Sequence, residues 1–261
     1  AIAGVRPAAE DRGTPLKVWA LGSVVGPVAL TCVATALSNS TAAPEVFAVI
    51  LGMFFCTLYL YANVFVNEPP LPPRMLREQG GLLRRTVRSV FGAGARPTMR
   101  FSVWFMTGFM LLMLAAFAIT DTLVHGGSPD EVLGFLLVGL AMLAFGVFLV
   151  SLGTLVRIRT RSGVAARAVL FGTVAALVVL PSMTALILDA RALDDLDRNL
   201  PLVLSLSPIA PLAGVVMVAE RHFNDVWMVL PFGVFYSVLS LVLYANASRR
   251  IRVIITQVDE S

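Results

Sequence analysis

The sequence predicts an all-α, polytopic integral membrane protein with six transmembrane helices, both termini cytoplasmic and a re-entrant, broken helical segment between helices five and six. Three observations predict it. Six stretches, 18–38, 46–66, 101–120, 132–156, 168–188 and 226–248, contain no Asp, Glu, Lys, Arg or His. At ~1.5 Å of helical rise per residue, about 20 such residues cover a ~30 Å hydrocarbon core. Apolar residues make up 57% of the chain and charged residues only 14%, against the ~25% charged content of soluble domains. The arginines, finally, collect in alternate connections.

That alternation sets the orientation. The N-terminus, the loop 67–100, the loop 157–167 and the tail 249–261 hold 17 of the 20 Lys+Arg residues. The opposite side keeps Arg191, Arg198 and Arg221 with 10 of the 16 acids. Cationic loops stay cytoplasmic, so both ends lie inside. A nucleic-acid partner is not expected, because the basic residues do not share a soluble face with aromatic residues among them. The whole chain, 1–261, reads as one transmembrane domain whose first partner is the lipid bilayer.

Along the chain, AIAGVRPAAEDRGTPLK lacks the short apolar core of a secretory signal peptide. In the first span Gly22 and Gly26 form a GxxxG followed by Pro27, a pattern that permits close helix contact. After the second span comes NEPPLPP and then RMLREQGGLLRRTVRSVFGAGARPTMR. There Leu83, Val87, Val90 and Phe91 recur at helical spacing, Arg84, Arg85 and Arg88 take the other face, and Gly92 and Gly94 end the run. Such a basic amphipathic helix suits anionic headgroups and a cytoplasmic docking partner equally well. Asp121, His125 and Asp130 flank the turn HGGSP, read as a solvated turn. Residues 200–219 are uncharged but contain Pro201, Pro208 and Pro211, which break a continuous helix. A seventh span there would put Arg249, Arg250 and Arg252 outside, so the segment is read as broken helices dipping back from the outer surface. Glu220, Arg221, His222 and Asp225 read as interfacial anchors beside Trp227. Asn63, Thr107, Ser151, Thr154 and Ser182 are the expected interhelical hydrogen-bonders.

Missing residues narrow the chemistry further. Lys17 is the only lysine and no GxxxxGK(S/T) surrounds it, so the chain carries no P-loop. No ionisable side chain falls within the six stretches, which argues against a proton-coupled carrier. Both histidines lie in outer loops, so paired ligands to an intramembrane haem are absent. Cys32 and Cys56 sit within spans as small apolar fillers. Catalytic residues, cofactor and metal are accordingly expected to be none.

One region resembles a known family. FLVSLGTLVRIRTRSGVAARAVLFGTVAALVVLPSM is similar to the fourth-to-fifth span junction in the membrane subunits of type-2 ABC exporters. In that family a small-residue-rich span ends in a short turn of arginine, Ser/Thr, arginine and small residues. Arg157, Arg159, Thr160, Arg161 and Ser162 occupy it here. LVLSLSPIAPLAGVV resembles the family's "LSP" stretch of short re-entrant helices, through Ser207, Pro208 and Pro211. The resemblance covers roughly 145–215 and is topological elsewhere. It departs from the pattern at the start, where EDRGTPLK stands in place of a longer charged helix. It implies the permease half of an exporter in the bacterial cytoplasmic (inner) membrane, non-catalytic itself. A cytoplasmic ATP-binding subunit would dock on a coupling helix containing Arg84, Arg85 and Arg88, and a second permease chain would complete a homo- or heterodimer. The alternative is a non-catalytic structural membrane subunit of a larger complex. An intramembrane enzyme using the outer acids and histidines ranks third.

Overall fold

A computed structural model describes residues 13–65, 90–91, 94–160, 162–188, 204–222 and 225–259. Among them every regular element is helical: α1 (Gly13–Ser23), α2 (Val25–Leu37), α3 (Ala43–Phe65), α4 (Ala95–His125), α5 (Pro129–Thr160), α6 (Gly163–Leu188), α7 (Ile209–Ala219) and α8 (Leu230–Asp259). Short 3-10 turns, Leu204–Leu206 and Val226–Val229, precede α7 and α8. Six helices are long and apolar enough to cross a membrane: Lys17–Leu37, Ala43–Phe65, Ala95–His125, Pro129–Thr160, Gly163–Ile187 and Val226–Ile254. The chain is an integral membrane protein.

The helices overrun the charge-free stretches. α4 has 31 residues and α5 has 32, ~46–48 Å at ~1.5 Å per residue and so longer than the ~30 Å core. Their ends therefore carry Arg96, Arg100, Asp121, Glu131, Arg157 and Arg159 out of the hydrocarbon while remaining helical. The first span is not one helix. Pro27 cannot donate to the Ser23 carbonyl four residues back and its ring crowds that oxygen, so the chain loosens to a turn at Val24, whose N–H reaches Leu21 O at 3.3 Å.

The core is an aromatic seam. On α3, Phe47, Leu51, Phe54, Leu58, Tyr61 and Phe65 follow one another at steps of four and three residues, the spacing of a single helical face. Against them α4 runs antiparallel, as its ring pairs show. Phe47 stacks on Phe117 with centroids 4.4 Å apart, Phe54 meets Phe109 at 5.0 Å, Tyr61 meets Phe105 at 4.9 Å and Phe65 meets Phe101 at 5.6 Å. α5 is the hub, in contact with α3, α4, α6, α7 and most extensively α8. Small residues let it approach. A Cβ on Gly139 would stand 2.5 Å from Met110 Sδ, and one on Gly146 3.2 Å from both Leu58 Cδ1 and Met106 Sδ. Lipid gives helices no hydrophobic reason to associate, so close dispersion contact of this kind must hold them. Gly22 and Gly26 make no such contact; a Cβ on either would meet nothing within 4 Å.

Two ends of the bundle differ in chemistry. At one, Lys17 is fully buried with Nζ 5.7 Å from the Phe101 ring, while Arg96 and Arg100 of α4 face Arg249 and Arg252 of α8. At the other lie Ser38, Asp121, His125, Glu131 and Arg221. The start of α1 and the end of α8 belong to the basic end.

Candidate functional site

Between the fifth and sixth spans the described segment, residues 204–222, forms a 3-10 turn followed by a short helix. Its helical part, α7, has only 11 residues, ~16 Å at ~1.5 Å per residue and about half a bilayer core. Its depth is fixed by two hydrogen bonds across helices. Ser207 Oγ donates to Leu177 O of α6 at 2.9 Å, and Tyr236 Oη of α8 donates to Leu206 O at 3.1 Å. Leu177 lies eleven residues before the end of α6, so the break in the chain sits ~16 Å below that end.

The bond to Leu177 has a specific origin. Pro181 lies inside α6 and has no N–H to give the carbonyl four residues earlier, which is that of Leu177. In lipid a carbonyl without a donor is unfavourable, and Ser207 supplies the missing donor. The same hydroxyl accepts the Ile209 N–H at 3.4 Å, and Ala210 N donates to Ser207 O at 2.9 Å. Pro208 is the N-cap residue of α7 and Pro211 stands in its first turn, where backbone N–H groups have no intrahelical partner and proline is tolerated. Ser207, Pro208 and Pro211 thus come together as one buried turn, where the described helix of this segment begins. α7 closes on α5 and the following 3-10 turn at Gly214, where a Cβ would meet Val229 Cγ2 at 2.5 Å and Val138 Cγ2 at 3.1 Å.

α7 ends by a two-bond helix stop. His222 N donates to Met217 O at 2.8 Å and Arg221 N to Val218 O at 3.1 Å, with Arg221 at φ 63°. Glycine ordinarily takes that left-handed position. Arginine there places Nε 3.2 Å from Oε1 of Glu131, whose side chain is almost fully buried at the start of α5. The ion pair ties the end of α7 to the hub helix. Trp227 beside it is exposed, as an interfacial anchor should be.

The HGGSP turn differs from its sequence reading. Asp121 is buried rather than solvated; its Oδ1 lies 3.1 Å from His125 Nδ1, and His125 Nε2 lies 2.9 Å from Ser38 O at the end of α2. The histidine joins two spans. Asp130 lines a separate depression with Arg221 and Trp227, and among the described residues no three His, Cys, Asp or Glu side chains converge as metal ligands. Two of the expected interhelical hydrogen-bonders make a bond within their own helix. Asn63 Nδ2 donates to Tyr59 O and Ser182 Oγ to Val178 O, each within its own helix. Cross-helix bonds are made by Ser23 with Tyr61 at 2.7 Å, and by Ser207, Tyr236 and His125. Burial and helix spacing reveal none of those pairs in advance.

At the basic end, Arg157 is half-buried and Arg159 exposed in the last turn of α5, where cations suit the helix dipole. The turn into α6 is tight. Ser162 Oγ accepts the Ala165 N–H at 3.3 Å, an N-cap bond, and Thr160 Oγ1 donates to Val156 O at 2.9 Å. Arg161, and with it Arg84, Arg85 and Arg88, lies outside the described residues. The end of their proposed amphipathic helix is described: Val90 and Phe91 pack on the core, with Phe91 edge-on to Phe101 at 5.5 Å. A feature the sequence did not expose is a cleft of about 410 Å³ between α4 and α8, lined by Arg96, Arg100, Tyr244, Ala245, Ser248, Arg249 and Arg252.

No protein-family model, curated protein or solved structure matches this chain.

Proposed function

We propose that this chain is the permease subunit of an ABC-type exporter, moving substrate across the membrane with energy from a separate cytoplasmic ATPase. The observation that carries the reading is the buried break at Ser207–Pro208, seated by hydrogen bonds on α6 and α8. Discontinuous helices at mid-membrane are a means by which transporters gate a path, because their docking bonds can shift without unfolding the flanking spans. On this reading the arginine-rich end is cytosolic, and the ATPase docks on the segment containing Arg84, Arg85 and Arg88. The interior between α3, α4 and α5 is filled by Phe and Met side chains, so substrate passes at the interface with a second permease chain.

Co-purification from the native membrane should recover a P-loop ATPase. The triple change Arg84→Glu, Arg85→Glu and Arg88→Glu should abolish substrate-stimulated ATP hydrolysis while the protein still inserts. Unchanged coupling in that variant overturns the docking assignment. The seamless aromatic packing of α3, α4 and α5 also favours a second reading, a rigid structural subunit of a larger assembly. That reading requires a stable multi-subunit complex with no nucleotide-binding chain.

A further inference from the structure

Two depressions on the side of the bundle where α5 meets α8 join into one furrow. At the end opposite the basic one, Asp130, Arg221 and Trp227 line a mouth of about 360 Å³. From it a groove of about 280 Å³ continues between the two helices. Leu137 and Val226 line both, so mouth and groove are continuous. The α5 wall carries Leu137 and Leu140, and the α8 wall Val234, Ser237 and Leu241. The floor is Gly233 against Ala141, where a Cβ on the glycine would stand 3.3 Å from Ala141 Cβ.

Length and polarity together describe an occupant. α5 and α8 both start at the mouth, so their walls deepen in the same direction. From Asp130 to Ala141 α5 advances eleven residues, ~16 Å at ~1.5 Å per residue and close to half of a ~30 Å core. The furrow thus spans one leaflet. Bulk lipid would wet any apolar face of this kind, and what sets this one apart is its rim. Arg221 pairs through Nε with Glu131 at 3.2 Å while its side chain stays 55% exposed, so a guanidinium of fixed position lines the mouth. That group matches a phosphate in two-point geometry. Asp130, exposed in the first turn of α5, adds a carboxylate to the same rim and suits an ammonium. Trp227 is exposed beside them, as a ring at headgroup level is. One cation and one anion over an apolar furrow complement a zwitterionic headgroup over an acyl chain. An acidic headgroup would use only the arginine, and a soluble zwitterion would leave the furrow idle.

We propose that this furrow is a binding site for phosphatidylethanolamine, its phosphate on Arg221, its ammonium on Asp130 and an acyl chain lying between α5 and α8. The left-handed backbone that delivers Arg221 thereby serves the rim as well as Glu131. The site does not depend on the exporter reading, since a structural subunit would hold the lipid with the same residues.

The test uses the full-length protein in detergent, with bound lipid counted by native mass spectrometry and affinity read from thermal stabilisation. Phosphatidylethanolamine should be retained better than phosphatidylglycerol, which lacks the ammonium, and better than phosphatidylcholine, whose ammonium has no N–H to donate. Asp130→Asn should weaken phosphatidylethanolamine about tenfold, the worth of one hydrogen bond to a charged group, and erase its advantage over phosphatidylglycerol. Glu220→Gln, at an exposed acid of the same end that does not line the mouth, should change it less than about twofold. Ser237→Trp should fill the furrow from an exposed position and weaken the lipid at least about fivefold. Val242→Trp, exposed on α8 outside the furrow, should leave binding unchanged. Water-soluble glycerophosphoethanolamine should not bind where the lipid saturates. Equal retention of phosphatidylethanolamine and phosphatidylglycerol, or equal losses for Asp130→Asn and Glu220→Gln, would overturn the headgroup assignment. Equal losses for Ser237→Trp and Val242→Trp, or glycerophosphoethanolamine bound as tightly as the lipid, would overturn the furrow.

Discussion

α5 and α6 follow one another through only Arg161 and Ser162, and each presents a long apolar run, yet their surroundings are opposite. In the most apolar window of α5 61% of residues are buried, against 11% in α6. Composition explains the contrast where hydrophobicity does not. α5 alternates small residues with rings, so Gly139 receives Met110, Ala141 receives Gly233 of α8, and Phe135 and Phe145 fill the spaces between neighbours. α6 shows the bilayer Phe171, Leu180, Met183 and Ile187 and touches the rest of the chain mainly along α5 and at the Leu204–Leu206 turn. In lipid an apolar side chain gains nothing by being buried as such. What distinguishes an interior helix is a surface shaped for close approach.

Paired substitutions sharpen the contrast, and the largest effect is expected from a ring. Phe135 packs against both Phe47 and Phe117. Phe135→Ala should lower stability by about 2–3 kcal/mol, the cavity cost of a large-to-small change at ~24 cal/mol per Å³. Phe171→Ala on α6 should stay within about 0.5 kcal/mol. Denaturant titration in detergent measures both, and equal losses would mean that α6 is covered as thoroughly as α5. Adding volume reverses the experiment. Gly139→Leu should cost about 1–3 kcal/mol through overpacking against Met110, while Gly172→Leu, with nothing within 4 Å of its Cβ position, should be near neutral on the same assay.

The smallest effect concerns single hydrogen bonds. Ser207→Ala should cost about 0.6 kcal/mol or somewhat more, typical for polar contacts between membrane helices, because it orphans the Leu177 carbonyl. Ser182→Ala, which removes a bond to its own helix, should cost less. A double-mutant cycle of Ser207→Ala with Pro181→Ala checks the cause. With residue 181 again able to donate, the loss from Ser207→Ala should shrink, and additive effects would show that the proline is not what the serine serves.

The six spans were legible because lipid excludes charge, and a run without charge is visible in any sequence. Span ends were less so, since helices continue past the hydrocarbon and carry Arg96, Arg100, Asp121 and Glu131 as helical residues. The break at Val24 had its signal in Pro27, and that of the re-entrant turn lay in Pro208 and Pro211. Pairings were not legible. Phe47 with Phe117, Ser207 with Leu177 and His125 with Ser38 join residues far apart in the chain, and a helix apolar on every side does not announce which face meets protein. Arg221 was read as an anchor, yet the left-handed backbone that delivers it to Glu131 has no marker in a sequence where glycine would be usual.

The proline in α6 has a mechanical meaning. Its vacant carbonyl and the serine that fills it turn two imperfections, a helix lacking a donor and a loop too short to span, into a single joint. Any tilt of α6 that pulls Leu177 away from Ser207 must either drag the loop with it or admit a water molecule, so span and loop share one coordinate of motion. A helix that otherwise meets the bundle mainly along α5 is thereby moored to it a second time, at half its height.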